Sequence, residues 1–410
     1  MSQQGPILVV SNEVRPSFLP SLDAAKLFPL IEVAFADAAR AVAQLQPAAI
    51  LAAMAGAGDP HLEPLAKQSA SAKPYLPLIA VDPKVSLPSN AIPFMSADGN
   101  FDRLVARLHA ALRIRALHAT VLRRLGDPRS VQEILPDGDP IRDATVLLVG
   151  RGGAFPALSV AFGERIGVVG AFSIEAAANH LNTRDIDGIL LGEGFTARVE
   201  DAFLTVLSED ARFRNLPVVV TSGQLAPAYG LANLEMISGQ PADVAAYALP
   251  LIRQRAFEAR LSRALRSIEA GGMLDPQTGL LTKSAFDRDF AVAVKQAKSH
   301  GGGLSIARFA FPVTNPRAHL DGGRILSRLM RKMDFGTVHD AHSVVVVFAD
   351  TDLRSAHAIA RRLASVMRQT SYGKRAGRSE TSVNVAALQS TDTVKSLLDR
   401  LYDNTERAAS

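Results

Sequence analysis

Short apolar runs alternate with helical segments along the N-terminal part of the chain. Unbroken runs such as ILVV at 7–10 and PVVV at 217–220 are typical of strands covered on both faces. The stretches between them carry apolar residues at helical spacing. This alternation predicts parallel, doubly wound α/β sheets.

The same pattern occurs twice. Four segments of a first copy recur about 140 residues later: ILVVSN at 7–12 as VLLVGR at 146–151, ILAA at 50–53 as ILLG at 189–192, LPLIAV at 76–81 as LPVVVT at 216–221, and RALHA at 115–119 as RAFEA at 255–259. The nearly constant offset of the four matches predicts two copies of one domain. We place them at residues 1–126 and 144–270, with a linker at 127–143.

Each copy ends in an extended helical pattern. In the second copy Phe257, Leu261, Leu265 and Ile268 follow one another at intervals of three or four residues, as in the seam of a short coiled coil. Two interpretations are open. The helix pairs two chains into a homodimer, or it packs against its own domain.

Strand order and spacing in both copies resemble the receiver domain of response regulators. That resemblance implies an acid pair for magnesium after the first strand and a phosphoacceptor aspartate after the third. The corresponding residues are Ser11, Asn12 and Ala53 in the first copy, and Gly150, Arg151 and Gly192 in the second. Because Mg²⁺ usually takes one or two carboxylates, we expect two degenerate receivers that neither accept phosphate nor bind magnesium.

Two further features of the second copy concern its capacity to bind phosphate. Thr221 matches the receiver threonine, but 238–241 reads SGQP where lysine–proline is expected. GRGG at 150–153 has two interpretations, a phosphate-binding loop or a tight turn. A lone glycine-rich turn is a weak signal, which favours the tight turn.

The stretch LDPQTGLLTKSAFDRDF at 274–290 opens a different domain. It is similar to the D-x-x-T-G-L-x-N-R-x-x-F opening of GGDEF domains, the α+β fold of diguanylate cyclases, and matches it at Asp275, Thr278, Gly279, Leu280 and Phe286. SVNVAA at 382–387 and LLDRLYDNT at 397–405 stand where that family has its late strand and last helix. The resemblance covers residues 271–410, and the whole chain has the layout of PleD-type response regulators.

The family's catalytic positions carry other residues here. Its G-G-[DE]-E-F signature falls on Asp340, Ala341, His342, Ser343 and Val344, its further metal acids on Ala310 and Pro312, and its triphosphate lysine on Thr405. Two-metal phosphoryl transfer depends on such carboxylates. We therefore expect a degenerate domain that is not an enzyme and holds no magnesium.

His339 and His342 have two interpretations. As a His-x-x-His pair they could bind a metal, although no third ligand is evident in the sequence. Alternatively, they are solvent-exposed residues of a turn, since the stretch at 328–350 predicts the end of a helix, a sharp turn and a buried strand.

Many GGDEF domains carry an inhibitory product site with an R-x-x-D core, five residues ahead of the signature. Arg331-Lys-Met-Asp334 stands in that register, and Arg362 matches a further family arginine. A guanidinium can bind guanine O6 and N7, and a carboxylate can accept from the guanine Watson–Crick edge. We expect Arg331 and Asp334 on one face of a helix end, where one cyclic di-GMP could contact both. The alternative is an ordinary surface ion pair.

The composition excludes several classes of site and of partner. The chain has no cysteine, which excludes disulfides, thiolate catalysis and cysteine–zinc sites. With 48% hydrophobic and 21% charged residues and no apolar run near the ~20 residues of a membrane span, we expect a cytoplasmic protein. The net charge of +5 comes without basic–aromatic interleaving, so no nucleic-acid partner is expected.

These features predict a non-catalytic signalling protein. The main hypothesis is a cyclic di-GMP receptor that acts on other signalling proteins through the receiver faces. A ligand-free interaction scaffold is the alternative, and a residual diguanylate cyclase is the third candidate.

Overall fold

The computed structural model describes residues 6–12, 15–25, 29–54, 59–84, 86–96, 99–125, 128–135, 138–221, 229–300, 303–312, 317–331, 333–368, 370–371 and 381–408. The chain divides into two compact units. The first comprises Met1–Phe162, Phe172–Ile174 and Asp187–Leu261, and the second comprises Gly163–Ala171, Glu175–Ile186 and Ser262–Ser410.

Strands and helices alternate up to a long helix, α9. In chain order the elements are β1 Ile7–Val10, α1 Leu19–Ala24, β2 Leu30–Val33, α2 Phe35–Leu45, β3 Ala49–Ala53, α3 Leu62–Ser71, β4 Leu78–Val81, β5 Ala91–Phe94, α4 Asp102–Leu125, α5 Pro128–Ile134, a 3-10 turn Pro140–Asp143, β6 Thr145–Val149, α6 Phe155–Gly163, β7 Gly167–Ala171, α7 Ile174–Thr183, β8 Gly188–Leu191, α8 Ala197–Glu209, β9 Val218–Val220, β10 Leu234–Met236 and α9 Pro241–Glu269.

The strands of the first unit pair in parallel, as the apolar runs predicted. One sheet has the order β2-β1-β3-β4-β5. A second set runs β10-β9-β8-β6, also parallel throughout. The repeated segments occupy equivalent elements in both, since β1, β3, β4 and α4 correspond to β6, β8, β9 and α9.

Alternate residues of the first sheet enter two separate cores. Ile7 and Val9 pack with α1 and α4, and with Leu251 of α9. Leu8 and Val10 pack on the opposite side with α2 and α3. This period-two division explains why the strands read as unbroken apolar runs, because both faces of the sheet are covered.

The predicted linker at 127–143 contains α5 and the 3-10 turn, and α9 binds it. Arg253 donates to Asp139 at 2.6 Å, and Arg260 donates to Asp143 at 2.7 Å. Along α9, the ring of Phe257 contacts Tyr75 and His118, and Leu261 is buried. Two of the four seam residues, Phe257 and Leu261, therefore pack inside the first unit, which favours the self-packing interpretation for this part of the connector.

The second unit contains a mainly antiparallel α+β arrangement after α9. Its elements are α10 Lys283–His300, β11 Leu304–Ala310, α11 Ala318–Leu329, β12 Phe335–Asp340, β13 Ser343–Ala349, α12 Leu353–Met367, β14 Thr370–Ser371, β15 Ser382–Ala387 and α13 Val394–Ala408. Four strands form a sheet with the order β12-β13-β11-β15. The short β14 pairs with β7 of the same unit.

Both faces of the antiparallel sheet are covered by helices. Phe309 and Val346 belong to a core with α11 and α12. Ile306 and Val345 belong to a core with α10 and α13. The predicted strand at 382–387 and the predicted helix at 397–405 are confirmed as β15 and as part of α13.

The D-x-x-T-G-L segment forms a turn held by its own aspartate. Asp275 accepts from the amide of Thr278 at 3.1 Å and from its hydroxyl at 2.5 Å. Gly279 has φ +76°, a conformation that glycine adopts at little cost. The amide of Leu281 donates to the carbonyl of Gly336 at 2.9 Å, which ties this turn to β12. The D-x-x-T-G-L segment therefore has a structural role, because it closes its own turn and joins that turn to β12.

Among the described residues, no helix combines the length and hydropathy required to cross a membrane.

A buried ion pair joins the two parallel sets of the first unit. Arg107 of α4 donates to Glu235 of β10 at 2.6 Å and to the carbonyl of Pro93 at 2.7 Å. Both charged side chains are almost fully excluded from solvent, at 0% and 3% exposure. Burial lowers the pKa of Arg107, and the charge of Glu235 opposes that shift.

Arg107→Met is expected to destabilise the first unit by about 3–5 kcal/mol, because it leaves Glu235 charged and unpaired in the interior. The double variant Arg107→Met/Glu235→Leu should recover much of that loss. Urea unfolding measures both.

Arg40→Ala is the matched control for this experiment. Its ion pair with Asp37 is equally short but exposed, so removing it should change the free energy of unfolding by at most about 1 kcal/mol. An Arg107→Met variant as stable as this control would contradict the structural role assigned to the buried pair.

Candidate functional site

The predicted dinucleotide-binding residues lie in the connection between α11 and β12, and on α12. α11 ends at Leu329, so Arg331 and Asp334 follow the helix in a turn. The expected placement on one face of a helix end is therefore wrong. The amide of Asp334 donates to the carbonyl of Arg331 at 3.0 Å, and this bond brings the two residues together in place of helical geometry.

Asp334 is buried, with 8% of its surface exposed. Its Oδ1 accepts from the amide of Ala349 at 3.2 Å. Ala349 ends β13, and Asp334 directly precedes β12, so the carboxylate satisfies an amide at the end of this strand pair. A surface ion pair, the alternative considered for these residues, does not describe such a side chain.

Burial raises the pKa of Asp334 above its ordinary value. The amides of Ala349 and Arg331 and the charge of Arg331 act in the opposite direction without cancelling the shift. Arg331 is thus close enough to act electrostatically on this carboxyl, while its own side chain is exposed.

Arg362 is exposed on α12. It precedes Leu363, which belongs to the same core as Met330, the residue before Arg331. Arg331 and Arg362 are thus each next in sequence to a member of one hydrophobic cluster, on two different elements.

Residues 340–344, where the family signature is expected, lie in a tight hairpin. β12 ends at Asp340, Ala341 and His342 make the turn, and β13 begins at Ser343. Asp340 accepts from the amide of His342 at 2.8 Å and from the hydroxyl of Ser343 at 2.5 Å. Burial acts to raise the pKa of Asp340, but these hydrogen bonds prevail and the pKa is lowered.

No glycine is required in this turn. The described non-glycine residues with positive φ are Gln46, Asp82 and Asp350, so Ala341 and His342 keep ordinary backbone conformations. Val344, the last position of the signature, is a buried core residue of β13. The acidic side chain that remains in the signature thus builds the turn itself.

The histidines of the turn are half-buried, and the expectation of solvent-exposed residues is wrong. The Nδ1 of His339 lies 2.7 Å from the hydroxyl of Tyr402 on α13, and the guanidinium of Arg308 stacks over the Tyr402 ring at 4.4 Å. Burial lowers the pKa of His339. Within the described ranges, no three His, Asp or Glu side chains come together as a metal site.

The positions of the other expected metal acids are at the end of β11. Ala310 is the last residue of this strand and pairs with Ser343 and Ser382. Pro312 follows it, and residues 313–316 lie outside the described part. A methyl group and a pyrrolidine ring offer no oxygen to a cation.

Ala53 and Gly192, the positions where the receiver resemblance implies a phosphoacceptor, lie at the carboxyl ends of parallel strands. Ala53 ends β3, and Gly192 directly follows β8. In the GRGG segment the amides of Arg151 and Gly152 both donate to the carbonyl of Glu193, at 2.8 and 3.2 Å. A Cβ on Gly152 would lie 2.5 Å from Glu193. Both features favour the tight-turn interpretation over a phosphate loop.

No protein-family model matches the chain, and no curated protein matches it. The GGDEF domain of DgcB from Caulobacter crescentus, in complex with c-di-GMP, is a similar solved structure with 14% identity over 33% of this chain and 90% of that chain, at TM-score 0.30. The FimX GGDEF domain from Pseudomonas aeruginosa has 20% identity over 33% and 93%, at TM-score 0.29.

A longer stretch is similar to a putative sugar binding protein from Salmonella typhimurium LT2. Here the identity is 10% over 62% of this chain and 88% of that chain, at TM-score 0.20. None of these likenesses assigns a function to the chain.

The pH dependence of stability should distinguish the two aspartates. The raised pKa of Asp334 gives a contribution that is complete below the ordinary value of 3.8 and is lost as pH rises through the raised pKa. The lowered pKa of Asp340 gives a contribution present above 3.8 and lost as pH falls through the lowered pKa.

We expect Asp334→Asn to gain stability relative to the natural chain as pH rises, and Asp340→Asn to lose it. Denaturant unfolding of the three proteins over a pH series measures both differences. Parallel pH profiles for all three would contradict the assignment of opposite environments.

Proposed function

We propose that residues 271–410 form a degenerate GGDEF domain, that residues 1–126 and 144–270 are degenerate receivers, and that the chain is a non-catalytic receptor for cyclic di-GMP. The observation that carries the proposal is the turn, closed by the backbone bond from Asp334 to Arg331, that places an exposed arginine beside a buried carboxyl. The R-x-x-D resemblance implies this ligand, and the surroundings of the two residues suit it.

The ligand supplies groups that match both side chains. An arginine can donate two parallel hydrogen bonds to guanine O6 and N7 or to a phosphate. We assign the carboxylate of Asp334, whose Oδ1 accepts from Ala349, to the guanine N1–H and amine. The fixed carboxylate would cost little ordering entropy on binding, because burial already restricts it.

Arg362 completes the proposed site from a second element. It is exposed on α12 and precedes Leu363, which shares a hydrophobic cluster with Met330, the residue before Arg331. A dinucleotide with two phosphates and two guanines offers more than one acceptor group, so it could engage both arginines.

The absence of catalysis is inferred from the residues at the signature and at the end of β11. Asp340 is the one carboxylate in the signature, and its two oxygens accept from His342 and Ser343. Ala310 and Pro312 provide no ligand for a metal. We therefore assign no cofactor and place a residual diguanylate cyclase third.

A ligand-free interaction scaffold remains the second candidate. The observation in its favour is an apolar strip on α8, where Val199 and Val206 are 39% and 60% exposed. Such side chains on a helix of the proposed second receiver suit contact with another signalling protein. Both candidates act through protein partners, and homodimerisation through the receivers or the connector is compatible with either.

Calorimetric titration of the full chain with cyclic di-GMP tests the proposal. We expect saturable binding that Arg331→Ala and Arg362→Ala each weaken at least about fivefold, since a guanidinium–guanine pair contributes about 1–3 kcal/mol.

Arg361→Ala is the matched control, because Arg361 is an exposed neighbour of Arg362 on the same helix. It should leave binding unchanged. Absence of binding, or equal losses in Arg361→Ala and Arg362→Ala, would reject the receptor and favour the scaffold.

A further inference from the structure

The first unit contains a cavity of about 450 Å³. Its walls come from the α3–β4 connection, from α4, from the segment holding α5 and the 3-10 turn, and from α9. All lining residues belong to the first unit. The volume is within the range of small-molecule sites in proteins.

Apolar and aromatic side chains form the body of the cavity. Phe257 stands edge-on to His118, with ring centres 5.2 Å apart, and tilts against Tyr75 at 5.5 Å. Leu122 and Leu135 add aliphatic surface from α4 and from the end of α5. This arrangement offers ring edges and faces to an apolar ligand body.

The imidazole of His118 presents a hydrogen-bond donor. Its Nδ1 accepts from the amide of Tyr75 at 2.9 Å. Burial lowers the pKa of His118 to about 4, with Lys73 and Arg115 adding to the shift. The ring is therefore neutral near pH 7, and because Nδ1 is an acceptor the proton is on Nε2.

The hydroxyl of Tyr75 is a second donor. Its oxygen accepts from Nε2 of Gln254 at 3.3 Å, which leaves its hydrogen for another acceptor. Burial raises the pKa of Tyr75, so the phenol keeps its proton at neutral pH. A ligand with a hydrogen-bond acceptor would therefore match both donors, the Nε2–H of His118 and the hydroxyl of Tyr75.

Lys73 supplies a cation at the cavity. Its charge is one cause of the lowered pKa of His118, so the ammonium lies within electrostatic reach of the ring. Two other lining cations, Arg253 and Arg260, are each bonded to a carboxylate, Asp139 and Asp143. Lys73 is therefore the cation we assign to a ligand.

We propose that this cavity binds an organic carboxylate with an apolar, ring-containing body, whose carboxylate contacts Lys73 and accepts from His118 and Tyr75. The body lies against Phe257 and Leu135. This site is separate from Arg331, Asp334 and Arg362 and does not depend on them.

The probe for this site is 2-naphthoate, with 2-naphthamide as the neutral molecule of the same shape. Calorimetric or fluorescence titration of the full chain should give saturable binding of the carboxylate, and at least about tenfold weaker binding of the amide, because a charged pair is lost.

Lys73→Met should weaken naphthoate binding to the level of the amide, and Leu135→Trp, which fills the cavity, should abolish binding of both probes. Lys84→Met is the control, since Lys84 is exposed in the same unit and does not line the cavity.

Three results would overturn the proposal. They are no saturable binding of naphthoate, equal binding of the amide, and unchanged binding in Lys73→Met. Because Lys73 is exposed, its substitution is not expected to impair folding, so this variant keeps the test decisive even if Leu135→Trp unfolds.

Discussion

The ion pair between Arg107 and Glu235 is the constraint on which the first unit depends. Both charged groups are buried, and their mutual attraction offsets the cost of desolvation only when the pair has good geometry and further hydrogen bonds. Arg107 also donates to the carbonyl of Pro93, and its guanidinium lies over the ring of Phe94, but its buried Nε has no hydrogen-bond partner. α4 and β10 are therefore held in one relative position.

Further charged contacts extend that constraint along α4 and α9. Glu258 of α9 accepts from Arg113 of α4 at 2.9 Å and from Arg255 at 2.6 Å, and Arg253 and Arg260 bind the segment before β6. Phe257 is thereby positioned against Tyr75 and His118. The walls of the 450 Å³ cavity thus follow from the same set of ion pairs.

In the second unit, acidic side chains close turns and strand ends. Asp275, Asp334 and Asp340 each accept from backbone amides a few residues away or on a neighbouring strand. Local polar contacts of this kind satisfy groups that would otherwise be costly to bury. Asp334 differs from the other two in having an exposed arginine beside it, which is why the proposed ligand site is placed there.

The sequence was a good guide wherever periodicity decides the outcome. The apolar runs predicted parallel strands covered on both faces, and the repeated segments fell on equivalent strands and helices, because burial on two faces leaves a visible pattern. The sharp turn before the buried strand at 343–349 was also placed correctly. Its stability without glycine was not foreseen, since it depends on how Asp340 orients toward Ser343.

Contacts between residues far apart along the chain could not be predicted from the sequence. Arg331 and Asp334 were predicted to lie on a helix because their i, i+3 spacing fits a helix, but the same spacing also fits a turn. The burial of Asp334 was not predicted either, since it depends on Ala349 of the neighbouring strand. His339 was assigned to solvent because its partner, Tyr402, lies on the last helix. The order in the predicted linker depends on arginines of α9 more than one hundred residues away.

The central proposal is that residues 340–344 support no metal chemistry, while the turn of Arg331 and Asp334 binds a ligand. Incubation of the purified full chain with GTP and Mg²⁺ or Mn²⁺, followed by chromatographic analysis of the nucleotides, tests this most directly. The account predicts unchanged GTP and no cyclic di-GMP over long incubation. Formation of cyclic di-GMP by the chain, lost on heat inactivation, would contradict it.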